Sequence, residues 1–229
     1  MTIEKLLSTP TLPNAYEVLL HRFCDSDRDW MKYPFSVNGR CYSTNGYCIF
    51  MAPIGVGSYK PITEKQEEMF LKACVQEETF SKTIKISNLI EIVKSAELIE
   101  GTRVIDKTVK CTACDGDGSV EFEFSHEHKY YFSDLECPVC EGICEIEDEV
   151  EEKTGEMVIN EDNQIGIGNS FFYVKMIIRL IETALTIGVD NIDLVYENDR
   201  RSSVFKIGEA KLLMMPMSNP VQVIGKIKH

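Results

Sequence analysis

Long apolar runs are missing from this sequence, histidines are few, and one stretch is almost without bases. No apolar run approaches the roughly 18–20 residues that cross a bilayer, so no membrane partner is expected. Residues Met1 to Leu20 hold Glu4, Glu17, Pro10 and Pro13 where a secretory signal needs its apolar centre. The expected compartment is therefore the cytoplasm, where thiols stay reduced, and the nine cysteines need a use other than disulfides. Outside one cysteine-rich stretch the histidines are His21 and the terminal His229, and neither stands in a serine or cysteine motif. Gly55 and Gly57 flank Val56, but the lysine and spacing of a phosphate loop are absent. The many carboxylates form no acid/base pair with its own context. The chain reads as non-enzymatic.

The charge is unevenly placed. Of a formal net charge of −13, the stretch Cys111 to Glu152 carries all: 14 acids stand there against Lys129 alone, leaving 23 acids and 23 bases elsewhere. At 229 residues the chain is long enough for one sizeable domain or two small ones. The composition break marks an insertion. We expect a body at 1–104 and 155–229 interrupted by an acidic finger at 105–154.

That finger contains Cys111-Thr-Ala-Cys114-Asp-Gly116-Asp-Gly118 and Cys137-Pro-Val-Cys140-Glu-Gly142-Ile-Cys144. Each C-x-x-C turn aims two thiolates at one ion about 2.3 Å away, and two turns complete a tetrahedron. The glycines after each pair permit positive φ and let backbone amides face the sulfurs. The expectation is one structural zinc ion on Cys111, Cys114, Cys137 and Cys140, with Cys144 an alternative to Cys140. Four thiolates leave zinc no open position for catalysis. A redox C-x-x-C fits less well, being normally single and at a helix start. Cys24, Cys41, Cys48 and Cys74 each stand alone among apolar neighbours, as free buried cysteines do. His126 and His128, two apart in the alternating stretch Val120 to Phe132, are expected to share one solvated strand face.

The pattern C-x-x-C-x-G-x-G resembles the cysteine-rich repeat of DnaJ-type chaperones. It covers about 40 residues, with Cys144 where the second copy would have its last glycine. The resemblance implies a single zinc-stapled β-hairpin. A chaperone-like role is a further reading, although no His-Pro-Asp signature of a J-domain accompanies the repeat. With 14 acids against one base the finger repels phosphates. A basic protein partner suits it better than nucleic acid.

The remaining body repeats a pattern. Tyr16, Leu19, Leu20 and Phe23 recur at helical spacing, followed by short β-like runs at Phe35–Val37, Arg40–Thr44 and Tyr47–Ala52. The turns between them, Asn38-Gly39 and Asn45-Gly46, are strong hairpin signals. Later, Ser170–Ile187 reads as an amphipathic helix capped by Asn169 or Ser170 and ended by Gly188. Runs at Ile192–Glu197, Ser203–Ile207 and Lys211–Met217 follow, with turns at Asn198–Arg201 and Gly208-Glu209. Between the two units, Lys82–Ile86 reads as a strand, Asn88–Ile99 as a helix and Met157–Ile167 as returning strands. The expected class is α+β, a duplicated helix-plus-antiparallel-meander with an inserted zinc-binding hairpin.

Tyr42-Ser-Thr-Asn-Gly-Tyr-Cys-Ile49 resembles the Ala-Thr-Asp-Gly-His-Arg-Leu signature of the bacterial DNA polymerase III beta subunit, the sliding clamp. Leu212-Leu-Met-Met-Pro-Met217 resembles that family's closing Val-Met-Pro-Met strand. The likeness covers about 150 residues. It implies a fold of two βαβββ units and an accessory or adaptor role in DNA replication of a bacterium or mobile element. Clamps turn basic helix residues toward duplex DNA. Lys94, Lys175 and Arg179 are the candidates for a DNA-facing or partner-facing surface, although Glu91, Glu97 and Glu182 stand among them. The body holds about one clamp domain, so a six-domain ring would need six copies.

Overall fold

The computed structural model describes residues 1–74, 78, 79, 81–198 and 202–227, the side chains of Met69, Ala73 and Cys74 apart. The chain opens with helices α1 (Ile3–Leu7) and α2 (Ala15–Arg22), a 3-10 turn (Asp29–Met31), and strands β1 (Phe35–Val37), β2 (Arg40–Thr44) and β3 (Cys48–Met51). Helix α3 (Glu64–Cys74), strand β4 (Lys82–Lys85) and helix α4 (Ile86–Lys94) come next. Strands β5 (Leu98–Lys110), β6 (Ser119–His126), β7 (Lys129–Glu136), β8 (Glu145–Ile159), β9 (Gln164–Ile167) and β10 (Ser170–Tyr173) lead to helix α5 (Val174–Ile187). Strands β11 (Asn191–Glu197), β12 (Ser203–Ile207), β13 (Ala210–Met214) and β14 (Val223–Ile227) complete the described chain. Two compact units divide it: Met1–Ile99 with the chain from Val158 onward, and Glu100–Met157. No described helix is long and apolar enough to cross a membrane.

In the first unit seven strands form one sheet, ordered β1-β2-β3-β13-β12-β11-β4, with every pairing antiparallel. A smaller sheet, β10-β9-β14, has β14 parallel to β9. The tight turn between β1 and β2 needs two residues in the left-handed region. Asn38 (φ 50°) and Gly39 (φ 73°) supply them. At the next turn the Asn45 side chain accepts hydrogen bonds from the N–H groups of Tyr47 and Cys48, at 3.1 and 2.9 Å. The runs α2–β1–β2–β3 and α5–β11–β12–β13 meet where β3 lies beside β13, with Phe50 opposite Leu212 and Cys48 opposite Met214.

Alternation along these strands sends side chains into two cores. Cys48, Phe50, Phe205, Ile207, Leu212 and Met214 join Leu19, Leu20, Leu89, Val93, Ile177 and Ile181 on the α2, α4 and α5 side. Ile49, Met51, Val195, Val204 and Leu213 pack on the reverse face with Phe70. Helix α3, which has no counterpart in the sequence reading, brings Phe70 edge-on to Phe35 and Tyr42 at 5.0 Å each.

Several boundaries differ from expectation. Ser170–Tyr173 is strand β10, not the first turn of a helix, and α5 starts at Val174. Three consecutive aromatics at 171–173 favour a strand, and β10 pairs fully with β9. Asn169 and Ser170 are therefore not caps. Their N–H groups donate instead to the Glu197 carboxylate, and the N–H of Val174 bonds to the Asn163 carbonyl. Gly188, at φ 84°, does end α5. Helix α4 spans Ile86–Lys94 rather than Asn88–Ile99, and Ile99 belongs to β5. Strand β13 stops at Met214. Pro216, which has no N–H to continue a ladder, follows, and Met217 bonds to the Phe171 carbonyl of β10. The expected turn at Asn198–Arg201 lies, beyond Asn198, outside the described residues, as does His229.

The second unit contains the two-stranded sheet β6-β7 and all but the outermost residues of the sheet β5-β8. The stretch Val120–Phe132 is not one strand. Glu127 (φ 47°) and His128 (φ 63°) form a two-residue left-handed turn, and β7 runs back along β6 with Lys129 opposite His126. His128 thus sits in the turn, off the strand face that carries His126. The expectation missed this because such turns favour Asn-Gly, not Glu-His.

Candidate metal centre

Two turns, one before β6 and one after β7, carry the four paired cysteines. All four are buried, and their sulfurs lie within 4.8 Å of one another. The Cys111 and Cys137 sulfurs are 3.8 Å apart, and those of Cys114 and Cys140 are 3.7 Å apart. Four sulfurs each about 2.3 Å from one ion stand about 3.8 Å apart in a tetrahedron. The observed edges fit that geometry, and the quartet can hold a metal ion. Among the described residues it is the one such group of His, Cys, Asp or Glu.

The two turns repeat each other in backbone as well as sequence. Asp115 and Glu141 both have φ 50°, Gly116 and Gly142 both 78°, and Gly118 and Cys144 77° and 73°. The N–H of Cys111 donates to the Cys144 carbonyl at 2.9 Å, and the N–H of Cys137 to the Gly118 carbonyl at 2.8 Å. The first residue of each turn is thus tied to the eighth residue of the other. The recurring glycines announced part of this relation; the cross-ties come from tertiary pairing and leave no mark in the sequence. Cys144 occupies a glycine-type conformation as a cysteine. Its sulfur lies 3.5 Å from the Gly142 carbonyl oxygen, and the quartet uses Cys140.

The sulfurs differ in acidity. Burial opposes ionisation of Cys114, but the Gly118 N–H, the Cys111 and Cys140 thiols and the Gly116 N–H outweigh it, bringing Cys114 down to about 7. The Gly118 N–H lies 3.3 Å from that sulfur. Burial pushes Cys140 up to about 12, against help from the Cys144 N–H, and the neighbouring thiols add to the rise. A cation bound by the four sulfurs would favour their thiolate forms.

The other candidates lie in the first unit. Lys94, on α4, is 2.8 Å from Glu91. Lys175, on α5, is 3.8 Å from Asp162 and 4.7 Å from the centre of the Tyr173 ring. Arg179 is exposed one turn further along. The structure places Lys175 and Arg179 on one helix and Lys94 on its neighbour. Of the solitary cysteines, Cys41 and Cys48 are buried, Cys24 is half-buried, and the Cys74 side chain lies outside the described residues. His21 faces Tyr59, its Nε2 3.5 Å from the phenolic oxygen.

No protein-family model matches the sequence, and no curated protein matches it. Solved structures with a similar course of the chain include the DNA polymerase III subunit beta of Pseudomonas aeruginosa. It has 10% identity and a TM-score of 0.43, over 90% of this chain and 65% of that one. The Caulobacter crescentus beta subunit gives 10% identity and a TM-score of 0.43, over 95% of this chain and 65% of that one. The chain thus spans about 65% of the length of these structures. Likeness at that level says nothing of activity, partners or assembly.

Proposed function

We propose that this chain is a non-enzymatic adaptor related to sliding clamps, serving DNA replication in a bacterium or mobile element. In this reading its acidic finger, 105–154, is inserted in the body and stapled by one structural zinc ion on Cys111, Cys114, Cys137 and Cys140. The carrying observation is the sulfur quartet, buried and spaced at 3.7–3.8 Å along two edges. All-sulfur tetrahedral sites suit zinc or iron, and four protein ligands suit a structural role.

The clamp relation is supported by the two sequence signatures. The first spans the β2–β3 hairpin and the second starts on β13; β3 and β13 are hydrogen-bonded neighbours, and each closes a helix-plus-meander run. Lys94, Lys175 and Arg179 are the proposed DNA-facing or partner-facing residues.

The test is the solution mass of the purified chain, with metal content read on the same peak. One zinc per chain in a closed oligomer that binds duplex DNA, more weakly as salt rises, supports the whole reading. A zinc-loaded monomer indifferent to duplex DNA ends its clamp part, and a chain that takes up no metal ends the zinc part. A second reading, a protein-docking finger on a scaffold body, is favoured by the exposure of the β6–β7 hairpin.

A further inference from the structure

The β6–β7 hairpin presents an apolar face that nothing in its own unit covers. Directly paired residues of an antiparallel ladder share a face. Phe122 and Phe124 therefore lie on the same side as Tyr131 and Leu135, which pair with Phe124 and Val120. Their exposures are 46, 65, 52 and 49%. At the base of this face Val120 packs against the cysteine quartet, so the sulfur site anchors one end of the surface. Towards the tip the Phe124 ring lies 6.3 Å from Tyr131 and 6.4 Å from His126. The opposite face mixes Glu121, Glu123, Asp134 and Glu136 with Tyr130 and Phe132.

We propose that the Phe122–Phe124–Tyr131–Leu135 face is a docking surface for a cationic, apolar protein segment. The proposal rests on the adaptor reading and names the chemistry of its partner. Contiguous exposed aromatic surface marks interaction sites, and tyrosine and phenylalanine are enriched in interface centres. Charge chooses among the possible occupants. The stretch from Cys111 to Glu152 carries a net −13, and an ion held by four thiolates adds a further negative centre. A second copy of the finger would bring the same charge against it. Nucleic acid could stack on the rings, but its phosphates would meet acids without the bases that replace condensed counterions. A segment mixing apolar residues with Lys or Arg gains burial, cation–π contact and electrostatic attraction together.

The test uses the full, zinc-loaded chain and three labelled probes. These are a peptide of alternating Leu and Lys, the same peptide with Glu for Lys, and an oligothymidylate of similar length. Binding is read by fluorescence anisotropy at low and high salt, beside sedimentation of the chain alone. The Leu/Lys peptide is expected to bind and to weaken as salt rises, and the other two probes are not. The double variant Phe124→Ser/Tyr131→Ser should lose affinity by about tenfold or more, as loss of two central aromatic contacts does, with zinc content unchanged. Glu121→Gln/Asp134→Gln leaves the aromatic face intact and should flatten the salt dependence. Undiminished peptide binding by the Ser variant, preference for the Glu peptide or the oligonucleotide, or self-association abolished by that variant would each overturn the proposal. Full zinc content without peptide binding overturns this proposal alone, whereas a wild-type chain that takes up no zinc overturns the reading beneath it.

Discussion

In the unit formed by Met1–Ile99 and the chain from Val158 onward, helices α2, α4 and α5 bury a continuous apolar cluster against one face of a seven-stranded sheet. In Glu100–Met157 the buried cluster is four cysteines, with Val120 and Ile146 packed beside them. Isolated two-stranded sheets are marginal in water, and this one also concentrates like charge. The contrast teaches that one chain would draw on two sources of order. Removal of apolar surface from water holds the body, while ligation would hold the finger, for which metal binding is folding energy.

The most forceful way to break this comparison is to withdraw the metal. Structural zinc in small fingers contributes about 10–16 kcal/mol of binding free energy at neutral pH. Cys111→Ser or Cys137→Ser should therefore unfold the finger and leave the body's cooperative transition in place. Amide NMR would report both at once, and an ordered finger with full zinc in either variant would refute the ligand assignment. The converse experiment strikes the body. Ile177 is fully buried, and Ile177→Ala should cost about 2–5 kcal/mol, seen as a lower denaturant midpoint with zinc content unchanged.

A subtler change sharpens the finger's side of the contrast. Cys144 holds φ 73°, a conformation that costs a non-glycine residue of order 1 kcal/mol or more. Cys144→Gly should stabilise the finger by about 1 kcal/mol, read as tighter zinc retention against a competing chelator. Gly118→Ala, the mirror change, should loosen retention. Its added carbon would lie 2.8 Å from the Gly142 carbonyl oxygen and 2.9 Å from the Cys144 sulfur.

The smallest effect is a pH slope in the body. Burial raises the Glu182 carboxyl above its ordinary range, against the opposing charges of Arg22 and Arg179. Between the unfolded and folded values the native state binds more protons, so stability falls as pH rises through that window. Glu182→Gln should flatten the slope in denaturant midpoint across the carboxylate range. A slope as steep as the parent's would remove Glu182 as its source.

Legibility in the sequence followed local chemistry. Asn38-Gly39 and Asn45-Gly46 marked turns because their backbone demands those residues, and the spacing of Val174, Ile177, Ile178, Ile181 and Leu185 marked α5. The C-x-x-C pairs pointed to the quartet because two thiols at that spacing share one turn. What stayed hidden was decided by distant partners. Ser170–Tyr173 continues the apolar pattern of α5 yet pairs with β9. Helix α3 is rich in charge and contributes Phe70 to the reverse face of the sheet. The Glu127-His128 turn lacks glycine and asparagine, so the alternation across it read as one strand. Its two-residue length reverses which positions share a face, and thereby puts Phe124 beside Tyr131.

The pairing of β3 with β13 also sets an order of events during synthesis. About 160 residues separate Met51 from Ala210. At roughly 5–20 residues per second the ribosome needs about 8–30 s to deliver the second strand after the first. Over that interval β3 is a nascent edge without its neighbour, the kind of edge that recruits other chains. The 34 residues from Cys111 to Cys144 emerge within about 2–7 s at the same pace. The finger can therefore take up metal while the central sheet is still half made, placing a compact, strongly anionic knot between the waiting strand and its partner.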